Sequence, residues 1–510
     1  MKITRPDAAL PMTVTRPDAA LPMTVTHPDA ALPMTVTRPD DLTPAVLARV
    51  ARGTVRLALS DDLLAGVRET RALVTAALAG DRPVYGVNTG MGALAGVRLD
   101  AAAQERHQNT LMAGRSVGSA PWLDATAARA LLAVRLRTLL HPAAGASPEL
   151  CRHLAALLGA GVTPAIPARG SGAAGEIIPL AHAGAALIGI GQVLDADGRA
   201  TDAGPALDAA GLRPYSFGPK EGVAFLEGVP GLTGLAILAA EDARTLIARV
   251  TAVVAAEHAV ARATPDPWHP AFGAGDPELR TIMADLEAAR GEGPPGALQA
   301  PVSFRVSAPA LAVATRAAAG LEAAVDRALT CVTDSPAFLD GRFVGSAGFA
   351  GTDLVAAAGT LATALAHLAE LGASRLHRLL DPLVTGLPRQ LSDAPGVHAG
   401  MVAVHKRAAG TAHRLRRFTG AALIGPMETS AGQEDVQSFG FEAAECLAET
   451  LDGLREIVAC ELLAVHQAAL LGGPAVPPEL SGMTERLPAA TADRPFGRDV
   501  ERLIGMLAER

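Results

Sequence analysis

The chain has 510 residues, of which 49% are apolar, 19% charged and only 3% aromatic. That apolar content is ample for large cores and excludes disorder for the bulk of the chain. A net charge of −8, from 44 basic and 52 acidic residues, supplies no overall positive field for nucleic acid. The scattered cysteines Cys151, Cys331, Cys446 and Cys460 lack CxxC spacing and read as reduced thiols of a cytoplasmic protein. With no charged-then-apolar leader at the start, secretion is not expected. The most apolar stretch, residues 177–193, is short for a membrane span and contains Pro179 and His182, so a buried helix is expected there.

The chain opens on a repeat. TRPDAALPMTV runs over residues 4–14 and again over 15–25, then returns over 26–36 with His27 in the place of Arg5 and Arg16. A truncated fourth copy begins at Thr37. Two prolines per copy exclude a continuous helix, and 11 residues are too few for a solenoid unit that buries a face. Residues 1–43 are therefore expected to be a disordered extension.

Beyond residue 43 the pattern is helical. Apolar residues recur at three- and four-residue spacings through 123–140, 230–263, 308–332, 353–380, 397–418 and 434–471. The last runs for nearly forty residues without proline, which suits a bundle. Strand signals are short, at 83–86 and 342–344. Loops rich in Gly and Pro fall at 161–175, 264–277, 291–301 and 472–478, where chemistry is expected.

One loop, residues 170–175, matches GxGxxG, with Asp195 and Asp197 about twenty residues on. A dinucleotide site needs a strand before the loop and βαβ alternation after it. The preceding Thr163-Pro164-Ala165-Ile166-Pro167 is a poor central strand, and no such alternation follows.

In a longer frame the same loop, Gly170-Ser171-Gly172-Ala173-Ala174-Gly175-Glu176, resembles the signature loop of the histidine and aromatic amino-acid ammonia-lyases. Tyr85-Gly86-Val87-Asn88-Thr89-Gly90 resembles that family's tyrosine loop. Lys220-Glu221-Gly222-Val223-Ala224 is similar to its KEG-L-A segment. Gln299, Pro301, Ser303 and Arg305 fit its QDPYSLR segment, Thr385-Gly386-Leu387-Pro388 its SGLP, and Gln433-Glu434-Asp435 its QED. The six fragments stand in family order. The resemblance implies a mainly α fold: an elongated helical bundle of the ammonia-lyase type (residues 211–510) with an N-terminal loop-rich domain (44–210). It also implies a homotetramer whose sites are built from several subunits.

The departures bear on the chemistry. In the family an Ala-Ser-Gly tripeptide cyclises to a methylidene-imidazolone electrophile, whose methylene comes from dehydration of the serine. Here the tripeptide is Ala173-Ala174-Gly175, and alanine has no hydroxyl to lose. Val302 stands where a second tyrosine is usual, Glu227 replaces an asparagine, and Gly348-Phe349-Ala350-Gly351 replaces NFHG. No cofactor and no metal are expected.

The resemblance makes Tyr85 the base, with Glu434 and Glu227 sharing acid–base work; the plainer reading of Tyr85 is a buried tyrosine with a satisfied hydroxyl. Arg305 is expected to fork onto a substrate carboxylate, or else to form a structural ion pair. Asn88, Gln299, Phe349 and Gln433 complete the expected substrate-binding set. The N–H groups of Ala174 and Gly175, next to the helix that follows, are expected to bind an oxyanion where the electrophile would sit. Glu434 has a plainer reading too, as the solvated first-turn glutamate of a long helix.

Elsewhere the chain reads blandly. His398, His405 and His413 share a helical face, but steps of seven and eight residues separate them by roughly 10–12 Å, too far for one ion. The basic run Lys406, Arg407, Arg414, Arg416 and Arg417 reads as a solvated or subunit-facing surface, and His182 as a core histidine. The leading expectation is elimination, or conjugate addition or cyclisation, on a small carboxylate-bearing substrate without the electrophile. The alternatives are a non-catalytic relative acting in binding or assembly, and an ordinary ammonia-lyase carrying a serine-to-alanine change.

Overall fold

The computed structural model describes residues 31–509, apart from residues 292 and 426. At its N-terminal end β1 (Leu32–Val36) and β2 (Val55–Leu59) pair in parallel, Leu32 opposite Val55 and Val36 opposite Leu59. Between them lies α1 (Pro44–Ala51), started by the Thr43 hydroxyl, which accepts from the Val46 N–H, and by Pro44 in the first turn.

This corrects the expected extent of the disordered extension. Residues 32–43 are folded, and the Val36 and Leu42 side chains are wholly buried. The third LPMTV copy supplies a strand for β2, whose backbone would otherwise lack a partner. The truncated fourth copy then closes a turn, because it carries Asp41 and Leu42 where the full copies carry alanines. The Asp41 carboxylate accepts from the Thr37 N–H and hydroxyl, both at 2.8 Å, and from the Arg38 N–H at 3.1 Å. The first two copies lie outside the described residues.

Three helices frame the loops that follow: α2 (Ala101–Arg115), α3 (Ala125–Leu140) and α4 (Ile177–Leu187). The bundle is α5 (Pro230–Val260), α6 (Ser307–Thr330), α7 (Thr352–Leu379), α8 (Val402–Leu415) and α9 (Gly440–Leu470). α7 packs on α6, α8 and α9, while α5 packs on α3, α6 and α9. The reason is visible in the pattern. Leu354, Leu361, Leu365, Leu368 and Leu376 give α7 one buried stripe. From Ile457 to Ala468, α9 is buried on every face, because neighbouring helices surround it. Buried apolar side chains from Val36 to Leu507 form one continuous core. The fold is mainly α, as expected.

Two boundaries differ from the sequence pattern. The 434–471 run becomes helical only at Gly440, after Phe439 turns the backbone left-handed at φ 49°. Residues 83–86 form a turn, whereas Arg342–Val344 does pair, with Ala337–Leu339. The parallel sheet that a dinucleotide fold requires does not occur among the described residues, whose sheets hold two or three short strands. α5 and α7 are long and apolar enough to cross a membrane, yet 83% and 56% of their most apolar windows are buried in the protein.

The bundle interior carries one ionic cluster. Arg375 of α7 donates to Glu257 of α5 and, at 2.7 Å, to Glu461 of α9, with all three side chains at most 1% exposed. Burial, and then the charge of Glu461, push the Glu257 carboxyl well above the usual range.

Candidate active site

Tyr85 projects from a loop that is fastened from within. Asn88 Oδ1 accepts from the Val84 N–H at 2.7 Å, and Asn88 Nδ2 donates to the Arg82 carbonyl at 2.8 Å. Gln108 of α2 bridges outward, donating to the Gly86 carbonyl and accepting from the Val223 N–H. Gly86 is required: its φ is +68°, and a Cβ would lie 2.8 Å from Met91. Asn88 therefore positions the loop, and its polar atoms are engaged rather than offered to a substrate, which corrects its expected role.

The signature loop is held at its end by Glu176. This buried carboxylate accepts from the Gly231 and Leu232 N–H groups at 2.6 Å each, and so caps α5. Burial raises its pKa to about 7 despite those two bonds. Gly231 permits the approach, since a Cβ there would fall 2.7 Å from Glu176 Oε2.

These loops enclose a cleft of about 220 Å³ lined by Tyr85, Gly92, Arg115, Ala173, Ser430 and Glu434, among others. The Tyr85 hydroxyl oxygen accepts from the Gly92 N–H at 2.8 Å. Burial raises the Tyr85 pKa, and the charges of Glu227 and Glu434 add to this. The Gly92 bond and Arg115 oppose it. Tyr85 is thus a neutral phenol at neutral pH, able to donate its proton.

Glu434 is the most heavily bonded group in the cleft. Its carboxylate accepts from the Ser430 and Thr429 hydroxyls at 3.0 Å each and from the Ala174 N–H at 3.4 Å. Two expectations change here. The Ala174 N–H already faces a carboxylate, so it is not free for an oxyanion. Glu434 also precedes α9 by a loop, so it is no first-turn glutamate. Strain marks the place: Ser430 and Ala431 take φ of 52° and 51°.

Glu227, at the end of the short helix Glu221–Leu226, is buried beside the cleft. Burial lifts its pKa to about 8, with Asp334 and Glu434 adding and Lys220 and Arg135 opposing. Lys220 pairs with Asp334 at 2.7 Å, and the Arg135 guanidinium donates to the Ala224 and Glu227 carbonyls. At neutral pH Glu227 carries a proton.

Sequence reasoning missed Arg115. It ends α2 on the face of buried Gln108, Leu111 and Met112, at steps of seven, four and three, and a cation on that face was the available signal. Burial lowers its pKa, while Tyr85, Glu227 and Glu434 counter the shift. No ion pair to Arg115 occurs among the described residues.

The other expected residues are less gathered. Phe349 packs on the loop, its carbonyl 3.4 Å from where a Gly175 Cβ would stand. Arg305 donates to Gln299 at 3.2 Å; both are exposed, and neither lines this cleft within one chain. Gln433 is also exposed.

A family model for aromatic amino acid lyases matches residues 42–491. The chain belongs to that family. It is 32% identical over 475 residues to a histidine ammonia-lyase of Streptomyces coelicolor, covering 88% of this chain and 90% of that one. It is 31% identical to a histidine ammonia-lyase of Gloeobacter violaceus, covering 91% and 93%. Among solved structures, the tyrosine aminomutase of Streptomyces globisporus superposes with a TM-score of 0.87 at 26% identity, covering 94% and 97%. The protein is thus a lyase-type enzyme on the ammonia-lyase fold.

Proposed function

We propose that this enzyme works without the family's methylidene-imidazolone group, adding or cyclising across an activated double bond of a small carboxylate-bearing substrate, with elimination as the reverse. The residues present do not fit the group. Ala174 has no hydroxyl to eliminate, and its N–H is engaged by Glu434. The observation that carries the reading is the set of two protonated donors, Tyr85 and Glu227, around a carboxylate, Glu434, and a cation, Arg115.

In this reading Arg115 binds the substrate carboxylate and Glu434 takes a proton from the nucleophile. Tyr85 delivers its proton to the carbanion that forms, and Glu227 stabilises the charge or resupplies the proton. The Gly92 N–H supports the phenolate once the proton has left. A homotetramer in the cytoplasm belongs to the same proposal. The exposed segment of Leu298 and Val302 suits subunit contact, bringing Gln299 and Arg305 to a neighbour's cleft. The four unpaired cysteines suit a reducing compartment.

The test begins with intact mass, expected to equal the unmodified sequence; a deficit of two waters mapped to residues 173–175 overturns the reading. Unsaturated acids with amine nucleophiles, and α-amino acids, are then screened for turnover. Turnover that is lost in Tyr85→Phe supports the proposal, and turnover unchanged in that variant refutes it.

A further inference from the structure

β1 is not a unique sequence. Its five residues, Leu-Pro-Met-Thr-Val, occur identically at 10–14, 21–25 and 32–36. What β2 holds in its partner is chiefly backbone, together with a buried Val36 and a half-buried Met34, and both of these side chains recur as Val25 and Met23. Pro33 is tolerated because β1 lies at an edge, and Pro22 meets the same condition. Nothing within the strand distinguishes the copies. The distinction comes just after it, where the turn depends on four hydrogen bonds to Asp41, from the Thr37 N–H and hydroxyl and the Arg38 N–H and Nε. The equivalent residues Ala8, Ala19 and Ala30 have no side chain to make them.

We propose that the groove beside β2 accepts Leu21–Val25 of the same chain in exchange for Leu32–Val36, and that Asp41 selects between them. The N-terminus is then a strand that slips by whole repeats of 11 residues, keeping every side chain on its face, since the replacement is residue for residue. The slip lengthens the connection to α1 from seven residues, 37–43, to 18 residues, 26–43. Loop entropy disfavours that by only about fourfold. Most of the preference for the observed register therefore resides in the Asp41 turn.

Disulfide trapping in the full chain distinguishes the registers. Thr35 and Ala58 are direct partners, both exposed, at a spacing that a disulfide spans. Thr35→Cys with Ala58→Cys reports the observed register, and Thr24→Cys with Ala58→Cys the slipped one. In a glutathione buffer the first pair should close almost fully and the second in a minor fraction, rising several-fold in the Asp41→Ala background. In a second background, Val36→Asp expels the third copy, and the 24–58 crosslink should become dominant while the protein stays folded. The proposal is overturned if no 24–58 crosslink forms in any background, whether or not Val36→Asp folds. It is overturned equally if that crosslink runs as a covalent dimer, which would make the occupant a second copy of the chain.

Discussion

At the residue scale, Tyr85 and Glu227 share one electrostatic origin: burial beside like charges keeps both protonated. If Tyr85 delivers the proton, Tyr85→Phe should lower kcat by about 10²–10⁴ with little change in KM. Arg115→Gln should instead raise KM for the carboxylate substrate first, as steady-state kinetics will show. Glu227 adds a pH signature. Its folded pKa of about 8 lies above the model carboxylate value of 4.5, so its stabilising proton is held below pH 4.5 and lost as pH rises through about 8. Glu176, at about 7, acts in the same direction. The stability of Glu227→Gln relative to the native protein should therefore increase between pH 5 and 9, measured as the difference in Tm. A difference that shrinks over that range would contradict the buried, protonated state.

At the element scale, the helices were legible because three- and four-residue apolar spacing is set by burial alone. The start of α9 was not. Residues 434–439 contain no proline or glycine, and what ends the extended loop is the left-handed turn at Phe439, which leaves no mark in apolar periodicity. The site was legible where loops carry motifs, as at Tyr85, Ala174 and Glu434. Arg115 was hidden because it sits in a helix, and its role depends on three loops that close over it from distant parts of the chain. Asn88 shows the converse: the motif located it correctly, but its hydrogen bonds turn inward. One element-level prediction concerns the start of α5. Glu176→Ala leaves the Gly231 and Leu232 N–H groups buried without an acceptor and should destabilise the protein by about 2–5 kcal/mol in denaturant titrations.

At the scale of the whole molecule, the N-terminal repeats divide into a part that packs and a part beyond the described residues. Removing residues 1–30 should leave Tm unchanged. Removing residues 1–43 strips Val36 and Leu42 from the core, worth about 1.5–3 kcal/mol each, and should lower Tm by several degrees. The assembly can be tested alongside. Light scattering on the native protein should give a tetramer, and Arg305→Ala should retain that size while weakening substrate binding.

The cap that Glu176 places on α5 makes the cleft floor the tip of a lever. Thirty-one residues of helix make a rod about 46 Å long, so a tilt of one degree moves its end by about 0.8 Å. A misplacement of that size is enough to cost about a hundredfold in rate. The far end of the rod is clamped at Glu257 by Arg375, deep in the bundle. The accuracy of the reaction geometry is thus set partly by a fulcrum remote from the substrate. A variant that loosens the clamp, such as Arg375→Met, should misalign the chemistry before it unfolds the chain.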